Sequence, residues 1–337
     1  MSVRCAIFQA PRRIELRDVK LEQLGPFDVL VDVEACGVCG SDIGSYEFGH
    51  YVVPGQVMGH EISARVAALG SRIGGLRVGM QIAIRPMGTC GECAYCRSGN
   101  SNLCSNSVGR SLGYGLQGGF AEQVVLRDVV VGADVIAIED ALLATDLMWA
   151  EPLAVAVHAI HLLGEPPVNS LLVVGAGSVG LCVTAAALAS GVSEVVVIEP
   201  REQRRVAVSS LGATAHESLQ NIGDREFGGA IDTSGIAQVI ETASQRVSLG
   251  GYLVLLGLGD LPVPWPAGVA RLSGSFGYTD ADFRIAVDHI VTGRVRLSRF
   301  VTHQFALEDT ARALAVSSID PSTVKVAVIP RRTHVQD

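Results

Sequence analysis

Four cysteines within one short stretch of the chain have the spacing of a metal-binding lobe. They follow the pattern C-x2-C-x2-C-x7-C, at Cys90, Cys93, Cys96 and Cys104. Thiolates on short loops can converge on one tetrahedral ion, and zinc is the ion that prefers this geometry. A zinc ion with four protein ligands has no open position for a substrate. We therefore predict a structural zinc site here, rather than four unrelated thiols, and expect the chemistry elsewhere.

A second set of residues has the types that a catalytic zinc requires. Cys39 closes a C-x2-C that begins at Cys36, His60 and Glu61 come next in the chain, and Glu151 lies far downstream. A catalytic zinc has three protein ligands and one open position, and Cys39, His60 and an acid would supply them. The alternatives are a packed histidine, a buried cysteine that acts as a small hydrophobic residue, and a redox pair of thiols.

The segment that begins at Gly175 has the glycine pattern of a dinucleotide-binding turn. It reads G-x-G-x-x-G, follows the apolar run LLVV and precedes an Ala-rich stretch. The first glycine permits a tight turn, the second lets the backbone approach a pyrophosphate, and the third lets the helix pack on the strand. The helix N-terminus offers unpaired N–H groups to phosphates. A purely structural turn is the alternative. The predicted cofactor-binding residues are Gly175, Gly177, Ser178, Val179 and Gly180.

An acidic residue follows the next apolar run and indicates which dinucleotide is bound. The run EVVVIE ends at Glu199, and Arg201, Arg204 and Arg205 come directly after it. An acid at this point hydrogen-bonds the ribose 2′-hydroxyl and repels a 2′-phosphate, whereas arginines could bind that phosphate. We predict NAD rather than NADP as the cofactor, with Glu199 and Arg204 in its site.

The elements that must position these residues fall into two kinds. Short β patterns separated by glycine turns fill the first part of the chain, and from Met148 onward apolar runs alternate with Ala-rich helical stretches. This alternation predicts a βαβ series and a parallel sheet that is covered on both faces. The pattern breaks again after Gly274. We predict a dinucleotide-binding domain over residues 151–274, inserted into a domain formed by residues 1–150 and 275–337.

Composition limits the classes of partner. A chain of 337 residues suits two domains, and a net charge of −8 argues against nucleic acid. The apolar residues 171–189 contain closely spaced glycines, which predicts strand, turn and helix rather than a membrane span. Clustered cysteines without a recognisable signal peptide predict a cytoplasmic location.

Six motifs in this order resemble those of the zinc-dependent medium-chain alcohol dehydrogenase family, and most of all its sorbitol, polyol and threonine dehydrogenase branch. They are CGVCGSD, GHE at 59–61, the four-cysteine lobe, EPL at 151–153, GAGSVG and VTHQF at 301–305. The resemblance covers essentially the whole chain. It implies an α/β fold in which a GroES-like, β-rich catalytic domain with a zinc lobe carries an inserted, doubly wound Rossmann domain.

The resemblance also implies roles for individual residues. Cys39 and His60 would be ligands of a catalytic zinc, with Glu151 as the third ligand and Glu61 as its competitor. Asp42 would hydrogen-bond His60 and fix its tautomer. Ser41 would bind the substrate hydroxyl and pass its proton outward. For Asp42 and Ser41 the alternative is a pair of helix N-cap residues.

Two departures from the family pattern bear on the proton path and on the substrate. Relatives commonly have a histidine three residues after the serine, where this chain has Gly44, so the proton would leave through the cofactor ribose, water or a group such as His50. Polyol dehydrogenases tend to have arginine where this chain has Gly277, which leaves room for a substrate larger or less polyol-like than sorbitol.

The function implied is reversible oxidation of a secondary alcohol to its ketone, with NAD and two zinc ions per chain. The substrate would be a polyol, cyclitol, sugar or amino alcohol. The alternatives are an NADPH-dependent carbonyl reductase, a non-catalytic NAD-binding zinc protein, and a thiol oxidoreductase that uses Cys36 and Cys39. The family forms homodimers and homotetramers, and we expect the interface near residues 261–268.

Overall fold

Two compact units make up the chain in the computed structural model, which describes residues 2–164, 168–257 and 271–330. One unit is Met1–Glu151 with Ile290–Asp337, and the other is Pro152–His289. The first boundary lies within one residue of the predicted one, whereas the second lies fifteen residues later than predicted. The reason is that the helix at residues 280–291 is tied to the second unit by hydrogen bonds of Asp282. The expected interface segment, 261–268, lies outside the described residues.

Strands dominate the first half of the chain, and strands alternate with helices in the second. The first half contains β1 (Ser2–Ala10), β2 (Arg13–Lys20), β3 (Val29–Gly37), α1 (Gly40–Phe48), β4 (Glu61–Leu69), β5 (Gln81–Ile84), α2 (Ala94–Arg97), β6 (Gln123–Leu126), β7 (Val135–Ile138), α3 (Ala144–Leu147) and α4 (Ala150–His161). There follow β8 (Ser170–Val174), α5 (Ser178–Ala189), β9 (Glu194–Ile198), α6 (Glu202–Ser209), β10 (Thr214–His216), β11 (Phe227–Asp232), α7 (Ala237–Ser244), β12 (Val247–Leu255), β13 (Arg271–Gly274), α8 (Asp280–Val291), β14 (Val301–Ala306), α9 (Thr310–Ile319) and β15 (Lys325–Ile329).

The first unit is built on a sheet of seven strands. Its order is β14-β15-β3-β4-β5-β7, with β6 also paired to β3, and β1 and β2 form a separate antiparallel pair. In β3 the side chains of Val29, Val31 and Val33 are buried and alternate with less buried neighbours, as a period of two requires. β3 runs antiparallel to β4 with Gly37 opposite Glu61. Residues just beyond the end of β3 therefore lie beside those just before β4.

The second unit contains a six-stranded parallel sheet in the order β10-β9-β8-β11-β12-β13. Its first strand in sequence, β8, lies between β9 and β11, so the strand order reverses there. Ligands of such sheets bind at the carboxyl ends of the strands that flank this point. The buried strands Leu171–Val174 and Val195–Ile198 are hydrophobic on both faces, as a parallel sheet requires. This order is that of a doubly wound domain and confirms the predicted architecture.

The apolar residues 171–189 form β8, a turn and α5, as the sequence predicts. None of the helices in the described parts of the chain is long and apolar enough to span a membrane.

Candidate active site

Helix α1 begins at Gly40 and brings Cys39, Ser41 and Asp42 together at its first turn. The backbone N–H of Cys39 donates to Asp42 Oδ2 at 3.0 Å, which satisfies one of the donors left free at a helix start. The backbone N–H of Gly59 donates to Asp42 Oδ1 at 3.2 Å. Asp42 therefore fixes both the helix start and the segment that carries His60.

Gly59 permits the close packing that holds His60 in place. Its φ is +86°, and a Cβ there would lie 2.8 Å from Cys36 Sγ and from the Phe120 ring. His60 itself is buried. Its Nδ1 is 3.7 Å from Asp42 Oδ1, which is longer than a hydrogen bond, so the expected hydrogen bond between Asp42 and His60 is not formed. Asp42 instead accepts a hydrogen bond from the backbone of the adjacent Gly59.

Cys39, His60 and Glu61 form a group that could hold a metal ion. One ligand atom of each residue lies within 4.8 Å of the other two. The chemistry of the set suits zinc, which accepts sulfur, imidazole nitrogen and carboxylate oxygen. His60 Nδ1 is also buried without a hydrogen-bond partner. Burying a polar atom without a hydrogen bond costs free energy, so a binding partner for this histidine is favoured. The three residues together therefore fit a metal ion.

Glu151, the acid that the sequence favours as third ligand, lies outside this group. It is the second residue of α4, near enough for the charges of His60 and Glu61 to act on it. Burial raises the pKa of Glu151 to about 7, with the positive charge of His60 opposing that shift and the negative charge of Glu61 adding to it. The geometry therefore brings Glu61, rather than Glu151, together with Cys39 and His60.

Lys325 is a member of the site that sequence reasoning missed. Its Nζ forms an ion pair with Glu61 Oε2, and both side chains are essentially inaccessible to solvent. The ammonium also lies 5.0 Å from the centre of the Trp149 ring, within range of a cation–π interaction. A Cβ at Gly37 would overlap the Glu61 carboxylate, so glycine is required there. One signal was available: the chain has only two lysines, Lys20 and Lys325.

Tyr114 is the second missed residue. Its hydroxyl is 2.8 Å from Ser41 Oγ, and its ring centre is 5.2 Å from that of His60. Burial raises the pKa of Tyr114 above its ordinary value, although the charge of His60 acts in the opposite direction. No spacing in the sequence connects Tyr114 with Ser41, because the two residues are 73 positions apart.

The four lobe cysteines come together as the sequence predicts. Cys90, Cys93, Cys96 and Cys104 each offer a sulfur within 4.8 Å of the others. The backbone N–H groups of Cys93 and Cys96 point at the sulfurs of Cys90 and Cys93, at 3.4 and 3.5 Å. Backbone donors from Glu92 and Cys93 lower the pKa of Cys90 to about 6, which favours the thiolate that binds zinc. The donor set and its backbone support fit a structural zinc ion.

The glycine turn after β8 has the conformation that the motif predicts. Gly175 has a φ of +91°, which disfavours any other residue, and a Cβ at Gly180 would overlap the Gly175 carbonyl oxygen. Ser178 and Val179 form the start of α5, directly after Gly177. A helix that begins on such a turn directs backbone N–H groups at a phosphate, so the residues present fit a dinucleotide.

Glu199 is held beside this turn by the backbone. The N–H of Ala176 donates to its Oε2 at 2.8 Å and the N–H of Arg201 to its Oε1 at 2.9 Å. Arg204 also lies near the turn, with Nη1 3.6 Å from the place of a Cβ on Gly177. Arg205 instead donates to the carbonyl oxygen of Glu199 at 2.9 Å. The acid and one of the three arginines thus adjoin the turn.

Known proteins have sequences similar to that of this chain. The alcohol dehydrogenase GroES-like domain matches residues 25–134. D-xylulose reductase A from Aspergillus niger is 30% identical, over 91% of this chain and 91% of its own. The chain belongs to the zinc-dependent medium-chain alcohol dehydrogenase family.

Other members of this alcohol dehydrogenase family are similar over the full length. Sorbitol dehydrogenase from Bacillus subtilis (strain 168) is 29% identical, over 98% of both chains. The solved structure of an alcohol dehydrogenase from Thermus sp. ATN1 superposes with a TM-score of 0.85 at 26% identity, over 97% of this chain and 100% of that one. Membership confirms the predicted family, its GroES-like α/β fold and an oxidoreductase that acts on alcohols.

Proposed function

We propose that this alcohol dehydrogenase interconverts a secondary alcohol, of the polyol class or close to it, and its ketone, with NAD as the hydride acceptor. The observation that carries the proposal is the group of Cys39, His60 and Glu61, of which His60 and Glu61 are buried, with Ser41 in the same first turn of α1 as Cys39. The family relatives named as sorbitol dehydrogenase and xylulose reductase support a polyol-like substrate.

The chain's own residues divide the work at this site. Cys39 and His60 would hold a zinc ion, which when bound supplies Lewis acidity that makes a substrate hydroxyl a stronger acid. Glu61 would be the third protein group, with its charge balanced by Lys325. Ser41 would accept the proton of the substrate hydroxyl, and Asp42 would hold α1 and His60 in register. A second zinc ion would be held by the four lobe cysteines.

The preference for NAD rests on Glu199. NAD, when bound, supplies the nicotinamide ring that takes up hydride. The buried carboxylate of Glu199, fixed beside the glycine turn by two backbone donors, would accept a hydrogen bond from the ribose 2′-hydroxyl and repel a 2′-phosphate. Arg204 adjoins the same turn and would favour NADP, as the NADPH-dependent carbonyl reductase alternative requires.

Proposals for the oligomeric state and the cellular location follow from the family and from the composition. We infer a homodimer or homotetramer and a cytoplasmic location, on the strength of the family resemblance and the cysteine content. Light scattering of the purified protein checks the first, since a monomer would contradict it.

The test of the function is turnover of a panel of secondary alcohols and ketones with NAD(H) and NADP(H). We expect NAD-dependent oxidation that Cys39→Ser and His60→Ala abolish, while NADH binding, followed by its fluorescence, stays nearly unchanged. The matched control is Cys5→Ser, a buried cysteine of the same unit that belongs to none of the metal groups found in the described residues. Equal rates with NADP would contradict the cofactor assignment, and turnover by Cys39→Ser would contradict the site.

A further inference from the structure

The hydroxyl of Ser41 has a defined partner. Ser41 Oγ and Tyr114 Oη are 2.8 Å apart, a distance typical of a good hydrogen bond between hydroxyl groups. Either oxygen can be the donor, so the bond can reverse its direction. A hydroxyl that both accepts and donates is what a proton path through Ser41 requires.

Tyr114 is placed by a turn that packs directly on the segment carrying His60. Gly113 has a φ of +78°, and a Cβ there would lie 3.1 Å from the carbonyl oxygen of Gly59. The turn is closed by the N–H of Gly113, which donates to the Leu116 carbonyl at 2.9 Å. Because the Tyr114 ring also packs against the His60 ring, the phenol has little freedom to leave Ser41.

His50, the group that the sequence offers as proton exit, has a different place. Its Nδ1 lies 3.9 Å from where a Cβ on Gly44 would be, and its carbonyl oxygen accepts a hydrogen bond from the Ser45 hydroxyl. It fills the space beside Gly44, whereas the side chain of Ser41 hydrogen-bonds to Tyr114.

We propose that Tyr114 is the positioning residue through which Ser41 passes the substrate proton outward. This inference rests on the proposed function. The substrate hydroxyl gives its proton to Ser41 Oγ as Ser41 gives its own to Tyr114 Oη, and Tyr114 releases its proton to water. Neither hydroxyl gains or loses a proton overall, and water accepts the one that the alcohol loses. In ketone reduction the same proton transfers occur in the opposite direction.

The surroundings of Tyr114 allow this last step. Its side chain is only half-buried, and its neighbours Gly115 and Gln117 are exposed. Tyr114 thus contacts Ser41 through its hydroxyl while part of the residue is accessible to solvent. Gly44 stands where relatives commonly have a histidine, so α1 offers no ionisable side chain at that position, and a path through Tyr114 does not require one.

The kinetic test compares Tyr114→Phe, Ser41→Ala and the double variant with wild type. We expect Tyr114→Phe to lower kcat at least about tenfold, with KM nearly unchanged and the solvent isotope effect on kcat altered. The double variant should be no slower than Ser41→Ala, because the two hydroxyls act as one unit. Small alcohols or imidazole in the buffer should partly restore the rate of Tyr114→Phe. Tyr95→Phe, at an exposed tyrosine of the lobe, is the matched control.

Two further measurements separate this inference from the proposed function. Zinc content and NADH affinity of Tyr114→Phe should equal those of wild type; loss of either would mean a structural role. With ¹³Cζ-labelled tyrosine, Ser41→Ala should move the Tyr114 resonance and leave that of Tyr95 in place, whether or not any alcohol is turned over. An unmoved resonance would overturn the inference. So would wild-type kcat and isotope effect in Tyr114→Phe, or a rate loss that His50→Gln causes and Tyr114→Phe does not.

Discussion

A fully buried lysine is an unusual partner for a candidate metal ligand. Lys325 enters the site from β15, pairs with Glu61 and lies over Trp149. A single buried charge costs several kcal/mol of desolvation free energy, whereas two opposite charges that are buried together offset much of this cost by their attraction. The compact ammonium can meet one carboxylate oxygen and leave the other for a different group, which a planar guanidinium would do less readily. We infer that Lys325 sets the orientation of Glu61.

Removing only one charge of this pair should be more damaging than removing both. Lys325→Met leaves the Glu61 carboxylate buried and unpaired, and we expect the free energy of unfolding to fall by about 3–5 kcal/mol. The double variant Glu61→Gln, Lys325→Met leaves no buried charge, so it should lose less. Urea denaturation of the purified variants measures both. An equal loss in the two variants would mean that Lys325 acts through packing alone.

At the scale of elements, the antiparallel register of β3 and β4 creates the candidate metal site. Gly37 stands opposite Glu61, so Cys39, two residues after β3, meets His60, one residue before β4. A slip of one residue would turn Glu61 to the opposite face of the sheet. The register is held by the buried valines of β3, whose alternation is plain in the sequence.

The four-cysteine lobe is an element whose structure should depend on the proposed zinc ion. Its short helix, α2, has four residues and none that is buried, so its own packing is weak. We expect Cys93→Ser to lose one of the two proposed zinc ions per chain and to lower the midpoint of thermal unfolding, since metal binding and folding of such a loop are coupled. Metal analysis and calorimetry measure these effects. Glu92→Ala, at an exposed neighbour, should keep both ions; the same loss there would contradict the assignment.

Helices α4 and α8 are joined by one buried carboxylate. Asp282 accepts hydrogen bonds from His158 Nδ1 at 2.8 Å, from His161 Nδ1 at 2.6 Å and from the backbone and hydroxyl of Thr279. Burial alone would raise the pKa of Asp282, but the bonds from His158, His161 and Thr279 outweigh it and hold the pKa well below its ordinary range. The ionised carboxylate is therefore favoured by folding.

The hydrogen bonds of Asp282 between α4 and α8 should make the stability of the protein decrease in acid. Because the pKa of Asp282 is lower in the folded state, its contribution is full above the unfolded value of about 3.9 and is lost as the pH falls towards the folded value. We expect Asp282→Asn to lower the free energy of unfolding by on the order of 2 kcal/mol at neutral pH, and the gap to wild type to shrink below about pH 4. Denaturant unfolding across the pH range measures it. If the difference in unfolding free energy between wild type and Asp282→Asn stays constant with pH, Asp282 is not ionised in the folded protein. Asp224→Asn, at an exposed ion pair of the same unit, should change little.

At the scale of the whole molecule, two units each keep their own core and their own candidate site. The group of Cys39, His60 and Glu61 lies in the first unit, and the glycine turn and Glu199 lie in the second. This division is why loss of metal ligands and loss of NADH binding should be separable. The change of pattern after Gly274 marks the end of the sheet, whereas α8 is joined to α4 by Asp282, so the second unit ends later than the predicted boundary at residue 275.

The sequence by itself determined the features that depend on short spacing. The cysteine lobe, the turn from Gly175 to Gly180 and Glu199 at the end of β9 are local, because a loop, a turn or the end of a strand fixes their geometry within a few residues. The periods of apolar residues likewise predict the parallel sheet, in a segment that is inserted in the sequence between two parts of a β-rich domain.

The residues that complete the candidate site can be identified only in the folded chain. Glu61 and Glu151 both have the carboxylate that a third ligand would need. The register of β3 and β4 brings Glu61 to Cys39 and His60. Lys325 and Tyr114 reach the same place from β15 and from a distant turn. Such contacts depend on how several strands and loops pack together, and no local pattern of residues encodes that packing.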